Sequence, residues 1–133
     1  MIEDKPVLQL TDIIELLDEI IENFKNSLEE KSVTLHKYLS PLPYILIDKY
    51  QIKKAIHTFI QDLIKTTKSG EKIEIITEKE GQFIKISIRK NTFNNFEHPD
   101  LSLLRKIVEQ HGGHFNYEKK QQAIVFYIYL PLP

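Results

Sequence analysis

DKYQIKKAIHTFIQDLIKTTKSG, residues Asp48 to Gly70, is the stretch whose reading decides the fold. Apolar side chains fall at Ile52, Ala55, Ile56, Phe59, Ile60, Leu63 and Ile64. Steps of three and four residues put them on one stripe of a helix, so that stripe is buried. Asp48 is placed to cap the helix. Gln51, three residues later, completes the pattern of a capping box. Gly70 closes the segment.

Outward from this helix, the chain alternates short strands and helices. Towards the N-terminus, Val7 to Leu10 predicts a short strand. Thr11 or Asp12 then starts a helix carrying Ile13, Ile14, Leu16, Leu17, Ile20, Ile21, Phe24 and Leu28, with its end near Glu30-Lys31. Ser32 to Leu39 alternates like a strand. A stiff Ser40-Pro41-Leu42-Pro43 loop follows, and the apolar run Tyr44 to Ile47 leads into Asp48. Towards the C-terminus, Lys72 to Glu78 and Gln82 to Arg89 predict a hairpin around Gly81. Lys90 to Asp100 is polar and rich in turn residues. Leu101 to His111 is a further amphipathic helix, stopped by Gly112-Gly113. His114 to Lys119 and Ala123 to Leu130 form a last hairpin. Helices separated by strand pairs imply a two-layer α/β (α+β) sandwich, a mixed sheet with three helices on one face. A doubly wound sheet would alternate strand and helix strictly.

Composition narrows the function. The chain has 133 residues, 41% hydrophobic and 28% charged, with a net charge of −1. That is the size and make-up of one globular domain. A charge this small projects no field towards nucleic acid or membrane. Cysteine is absent, so disulfides and thiolate zinc sites are excluded. The acidic start MIEDKPVLQL has no signal-peptide character, and no apolar run is long enough to span a bilayer. A cytoplasmic location is the expectation.

Three segments carry a family resemblance. The end of the central helix, Leu63-Ile64-Lys65-Thr66-Thr67, is similar to the "A-I-K-[YFH]-[TS]" ending of the central helix in the GHKL (Bergerat-fold) ATPase domains of two-component sensor histidine kinases. Leu101 to Gly113, LSLLRKIVEQHGG, resembles the family's "G-L-S-I-V-(R/K)-(R/K)-I-V-E-x-H-G-G". Phe126 to Pro131, FYIYLP, resembles its "F-x-(apolar)-x-L-P" ending. The likeness spans nearly the whole chain.

What the resemblance implies for nucleotide chemistry is mixed. Family members bind ATP and magnesium between the central helix and a glycine-rich lid. Two asparagines stand four residues apart on that helix, and their positions are held here by Thr58 and Asp62. Lys65 falls where the family has a lysine able to touch phosphates. An Asp in "D-x-G-x-G" accepts from the adenine amino group. Aligning Ile86-Ser87-Ile88-Arg89 with the preceding strand puts Lys90 at that Asp and Thr92 and Asn94 at the two glycines. An ammonium has only donors to offer. A one-residue slip puts Asn91 there, whose amide oxygen accepts. The lid glycines before the last helix fall on His98 and Asp100, and the Asp100 carboxylate can satisfy helix-end amides as an N-cap does. Asp62 is the magnesium ligand if the metal binds.

These replacements imply a degenerate ATPase-like domain with no cofactor, a pseudo-enzyme related to phosphorelay proteins that keep the fold without ATP. Its expected partner is a response regulator or a histidine kinase. The enzyme-class alternative is a divergent working domain that uses ATP and magnesium, with its phosphoacceptor on another segment or chain. An anti-sigma-type regulator of the same family also binds ATP and fails on the same residues. None of the five histidines is followed by an acid as a phosphoacceptor would be, and the dimerisation hairpin is missing from the sequence. His111 reads as a helix C-cap. Phe93 and Phe96, aromatic residues in a polar loop, are candidate partner contacts.

Overall fold

The computed structural model describes residues 5–91 and 100–133. In chain order the elements are β1 (Gln9–Thr11), α1 (Ile13–Asn23), α2 (Lys25–Lys31), β2 (Thr34–Leu39), β3 (Ile45–Ile47), α3 (Lys49–Thr66), β4 (Lys72–Glu80), β5 (Phe83–Asn91), α4 (Ser102–Gln110), β6 (His114–Lys120) and β7 (Ala123–Pro131). Five strands form a mixed sheet in the order β2-β4-β5-β7-β6, and β1 pairs with β3 in a separate two-stranded sheet. Among the described strands only β2 and β4 run parallel, joined by the crossover through α3.

The period-2 pattern of the central strands decides which face is covered. On β5, Ile84, Ile86 and Ile88 are buried, as are Ile124, Phe126, Ile128 and Leu130 on β7. They meet the apolar stripe of α3, where Phe59 packs edge-on against Phe126 at 4.9 Å between ring centroids. Leu16, Leu17 and Ile20 of α1 and Leu104 and Val108 of α4 complete the same core. The other sheet face carries its own cover of side chains. Lys85 Nζ lies 4.7 Å from the centre of the Tyr127 ring, and the His114 ring stacks on Tyr129 at 4.3 Å.

Three local expectations are corrected. The long N-terminal helix is two helices, α1 and α2, so among the described residues the sandwich has four helices rather than three. The break is at Phe24 (φ −99°, ψ 2°), whose N–H donates to Ile21 O three residues back. That tighter turn lets both Phe24 and Leu28 reach the core. The sheet is likewise not single, because the predicted strands before the first helix and before Asp48 pair with each other and not with the main sheet. Lastly, α3 ends at Thr66 rather than at Gly70. Thr67 turns extended (φ −88°, ψ 136°), and Gly70 lies in the following turn with φ +87°.

Candidate functional site

An α-helix leaves its last four carbonyls without partners inside the helix. At the end of α3 all four are matched by named donors. Leu63 O accepts from the hydroxyls of Thr66 (3.0 Å) and Thr67 (2.7 Å). Ile64 O accepts from Thr67 N–H and from the Lys31 ammonium at 2.7 Å. The same ammonium reaches Lys65 O. Thr66 O accepts from Lys90 Nζ at 2.7 Å, and Thr66 Oγ1 lies 3.2 Å from that nitrogen. Two lysines from distant parts of the chain thus cap one helix end, where the macrodipole also favours cations.

Lys90 comes to this place through the sheet. It pairs with Ile73 and Ile124 in register and belongs to the inward set of β5, so its stem crosses the core and only its tip is polar. The residue is 4% exposed. Asn91, one step on, points to the opposite face by strand alternation. The slipped alignment that would hand it the adenine contact therefore does not aim it at α3.

The other sequence-predicted positions divide into three groups. Thr58, Asp62 and Thr66 stand at successive four-residue steps, one row along α3. This row brings Thr58 and Asp62 onto the helix flank that ends at Lys90. Both are half-buried, and no described residue forms a hydrogen bond or ion pair with Asp62. Lys65 is exposed beside the row, not in it. Asp100 precedes α4 and accepts from Ser102 N–H (2.9 Å) and Ser102 Oγ (2.6 Å). These two bonds hold its carboxyl below the ordinary carboxylate value, against a small opposing effect of burial. The N-cap position itself belongs to Leu101, so Asp100 serves the helix end from one residue further out than expected. Thr92, Phe93, Asn94, Phe96 and His98 lie outside the described residues.

The opposite end of α3 holds a contact that local sequence rules missed. Asp48 Oδ1 accepts from Gln51 N–H at 3.1 Å, as a cap should. The reciprocal half of the capping box is not made. Asp48 N–H instead donates to Nε2 of His111 at 2.9 Å, and Gln51 Oε1 is buried without a partner. His111 Nδ1 lies 2.7 Å from Ile107 O, a pure acceptor, so the proton is on Nδ1 and Nε2 is free to accept. His111 is the C-cap of α4, as its position before Gly112 suggested, and it also clasps α4 to the start of α3. Asp48 Oδ2 further accepts from Val7 N–H at 2.9 Å, tying the N-terminal strand to the same point. That N–H is the main reason the Asp48 carboxyl is held below its ordinary value. Burial works against it, and Gln51 N–H adds to it.

The inward group at the end of β5 is thus the tethered Lys90 ammonium. Among the described residues no cluster of three or more His, Cys, Asp or Glu side chains could hold a metal ion. Among them, too, no helix is long and apolar enough to cross a membrane.

No family model matches the sequence, and no curated protein does. Solved structures do match. The nucleotide-free catalytic domain of histidine kinase ThkA superposes with a TM-score of 0.83 over 93% of this chain and 95% of that one, at 21% identity. ThkA in complex with response regulator protein TrrA gives a TM-score of 0.84 and 20% identity, over 95% of this chain and 42% of that one. Acinetobacter baumannii histidine kinase AdeS gives 0.80 and 16%, over 94% of this chain and 67% of that one. The chain therefore has the fold of histidine kinase catalytic domains, as its three resembling segments implied.

Proposed function

We propose that this chain is a histidine-kinase ATPase-fold domain that has given up ordinary ATP binding and works as a protein-interaction module in cytoplasmic two-component signalling, with a response regulator or a histidine kinase as its partner. One observation carries the reading. At the position the resemblance assigns to the adenine-reading Asp stands Lys90, buried, with its ammonium bonded to Thr66 O at the end of α3. The adenine amino group is a donor and needs an acceptor. Moving Lys90 aside to admit it would uncap a helix carbonyl, and an unmet buried polar group costs about 1–3 kcal/mol.

Two further residues weigh the same way. Asp62 adds negative charge on the flank that would face phosphates. Asp100 already occupies the first amide of α4. On this reading Thr58, Asp62, Lys65, Lys90, Asn91, Thr92, Asn94, His98 and Asp100 outline a relic pocket, no cofactor is required, and Phe93 and Phe96 remain candidates for partner contact. A fold neighbour, ThkA, is known in complex with a response regulator, which supports that kind of partner.

A specific observation favours the second reading. The Asp62 carboxylate is half-buried and has no described partner, and a carboxylate is a good magnesium ligand. A divergent catalytic domain would place ATP and magnesium beside it and take its phosphoacceptor from elsewhere. Isothermal titration with a non-hydrolysable ATP analogue, with and without magnesium, separates the two. The proposal expects no heat at millimolar ligand. Micromolar, magnesium-dependent binding that is lost in Asp62→Asn would establish the second reading instead.

A further inference from the structure

The start of α3 sets two acceptors against one donor. The donor is the N–H of the N-cap residue, Asp48. One acceptor is local. Gln51 stands three residues on, the position from which a glutamine side chain reaches back to the N-cap N–H. The other is distant. Nε2 of His111, the C-cap of α4, takes that N–H at 2.9 Å. Gln51 Oε1 is left buried with no partner. Buried polar atoms are nearly always bonded, so this one marks an acceptor displaced from its donor. His111 prevails only as a neutral ring. Its Nδ1–H is committed to Ile107 O at 2.7 Å, and Nε2 needs its lone pair to accept.

We propose that these residues form a pH-sensitive switch: protonation of His111 passes the Asp48 N–H from the ring to Gln51 Oε1, which closes the capping box and releases the hydrogen bond that fastens α4 to α3. A proton on Nε2 occupies the lone pair and points one N–H at another, so the neutral contact cannot survive it. Imidazole ordinarily changes charge between about pH 5 and 8. Asp48 N–H has an acceptor in both states, so α3 stays capped while its tie to α4 is lost. His111 is half-buried, which leaves water within reach of the second ring N–H. Among the described residues, the charged group facing the ring from α3 is the Asp48 carboxylate. Lys49, the next residue, acts on Glu19 of α1 instead. One turn back on α4, Ile107 and Val108 are apolar and buried, and Glu109 is exposed. The N-terminal segment brings the uncharged Val7 N–H, and His114 of β6 has its ring stacked on Tyr129 of β7. The inference goes beyond the proposed loss of nucleotide binding and holds whether or not nucleotide binds.

Nuclear magnetic resonance of the whole chain, titrated from about pH 8 to about pH 5, tests it. The Asp48 carboxyl, held below 3.8, stays charged throughout that range. The expected result is an Asp48 amide signal that moves with the same midpoint as the His111 ring signals. Gln51→Ala removes the acceptor of the acid state and keeps the backbone N–H that caps to Asp48 Oδ1. Below the midpoint its Asp48 amide should exchange with solvent about tenfold or more faster than wild type at the same pH, and above the midpoint at the wild-type rate. An Asp48 amide that does not follow the ring overturns the inference, and so does a ring that keeps one charge state throughout. A Gln51→Ala amide that exchanges in acid as slowly as wild type overturns it as well, since the N–H would then have found an acceptor other than Gln51.

Discussion

Replacing Lys90 with methionine keeps the long apolar stem that crosses the core and removes only the ammonium. Thr66 O then loses a charged donor at 2.7 Å in a place where Lys90 is 4% exposed. A hydrogen bond involving a charged group is worth about 1.5–3 kcal/mol net. The cation also sits at a helix C-terminus, which contributes about 0.3–1 kcal/mol. Against this, the variant no longer has to strip water from an ammonium. The balance is a loss of about 2 kcal/mol. For a domain of this size in urea, a slope of about 1–3 kcal/mol per molar turns that into a midpoint about 1 M lower. Equilibrium unfolding followed by circular dichroism reads it directly. Thr66→Val in a double-mutant cycle removes only the secondary acceptor, Thr66 Oγ1 at 3.2 Å, and leaves the carbonyl in place, so a coupling at the low end, about 0.5 kcal/mol, is expected. An unchanged or higher urea midpoint for Lys90→Met would refute the capping argument, and with it the support it lends to the proposed loss of nucleotide binding.

Gly113→Ala is expected to be far more damaging than its size suggests, since a Cβ there would lie 2.0 Å from the backbone oxygen of Tyr129. A loss of about 3 kcal/mol or more, seen as a collapsed thermal transition, is expected, and near-native stability would show that the close approach of these strands is misdescribed. Asp48→Asn should flatten the acid limb of the stability curve. The folded Asp48 value lies below the ordinary 3.8, so its contribution is present above that pH and is lost as pH falls through and below it. Urea midpoints at pH 7 and pH 3 check this: wild type should lose more between them than the variant. Tyr127 should ionise late, its pKa pushed up to about 12 by burial and then by its hydrogen bond to Glu118. Stability tied to it is whole below about 10 and declines as pH rises towards 12. An ultraviolet titration should show a last tyrosinate step that vanishes in Tyr127→Phe.

Periodicity read the helices and strands well, because it reports which face is buried, and burial is what tertiary structure most strongly enforces. The stripe from Ile52 to Ile64 is buried as read. The hairpins around Gly81 and before Ala123 pair as read. Ends were less legible. A helix stops where its carbonyls find donors, and those of α3 come from Lys31 and Lys90, 33 and 24 residues away from the carbonyls they reach. No local pattern announces either one. The capping box failed for the same reason: His111, 63 residues from Asp48, supplies a better acceptor than Gln51.

By itself the sequence determined the two-layer architecture, the family likeness and the chemical oddity at Lys90, since these depend on residue types and their spacing. The tertiary structure alone decided what that oddity does. Strand alternation aims Lys90 at the end of α3 and turns Asn91 away. The row Thr58, Asp62, Thr66 meets it there, and the ammonium closes the helix instead of waiting in a pocket. Likewise, an alternating strand pattern says that one face of β1 and β3 is buried. Only the packing of the whole chain leaves Leu10 and Leu46 outside, because the core beneath them is already filled by Ile45 and Ile47.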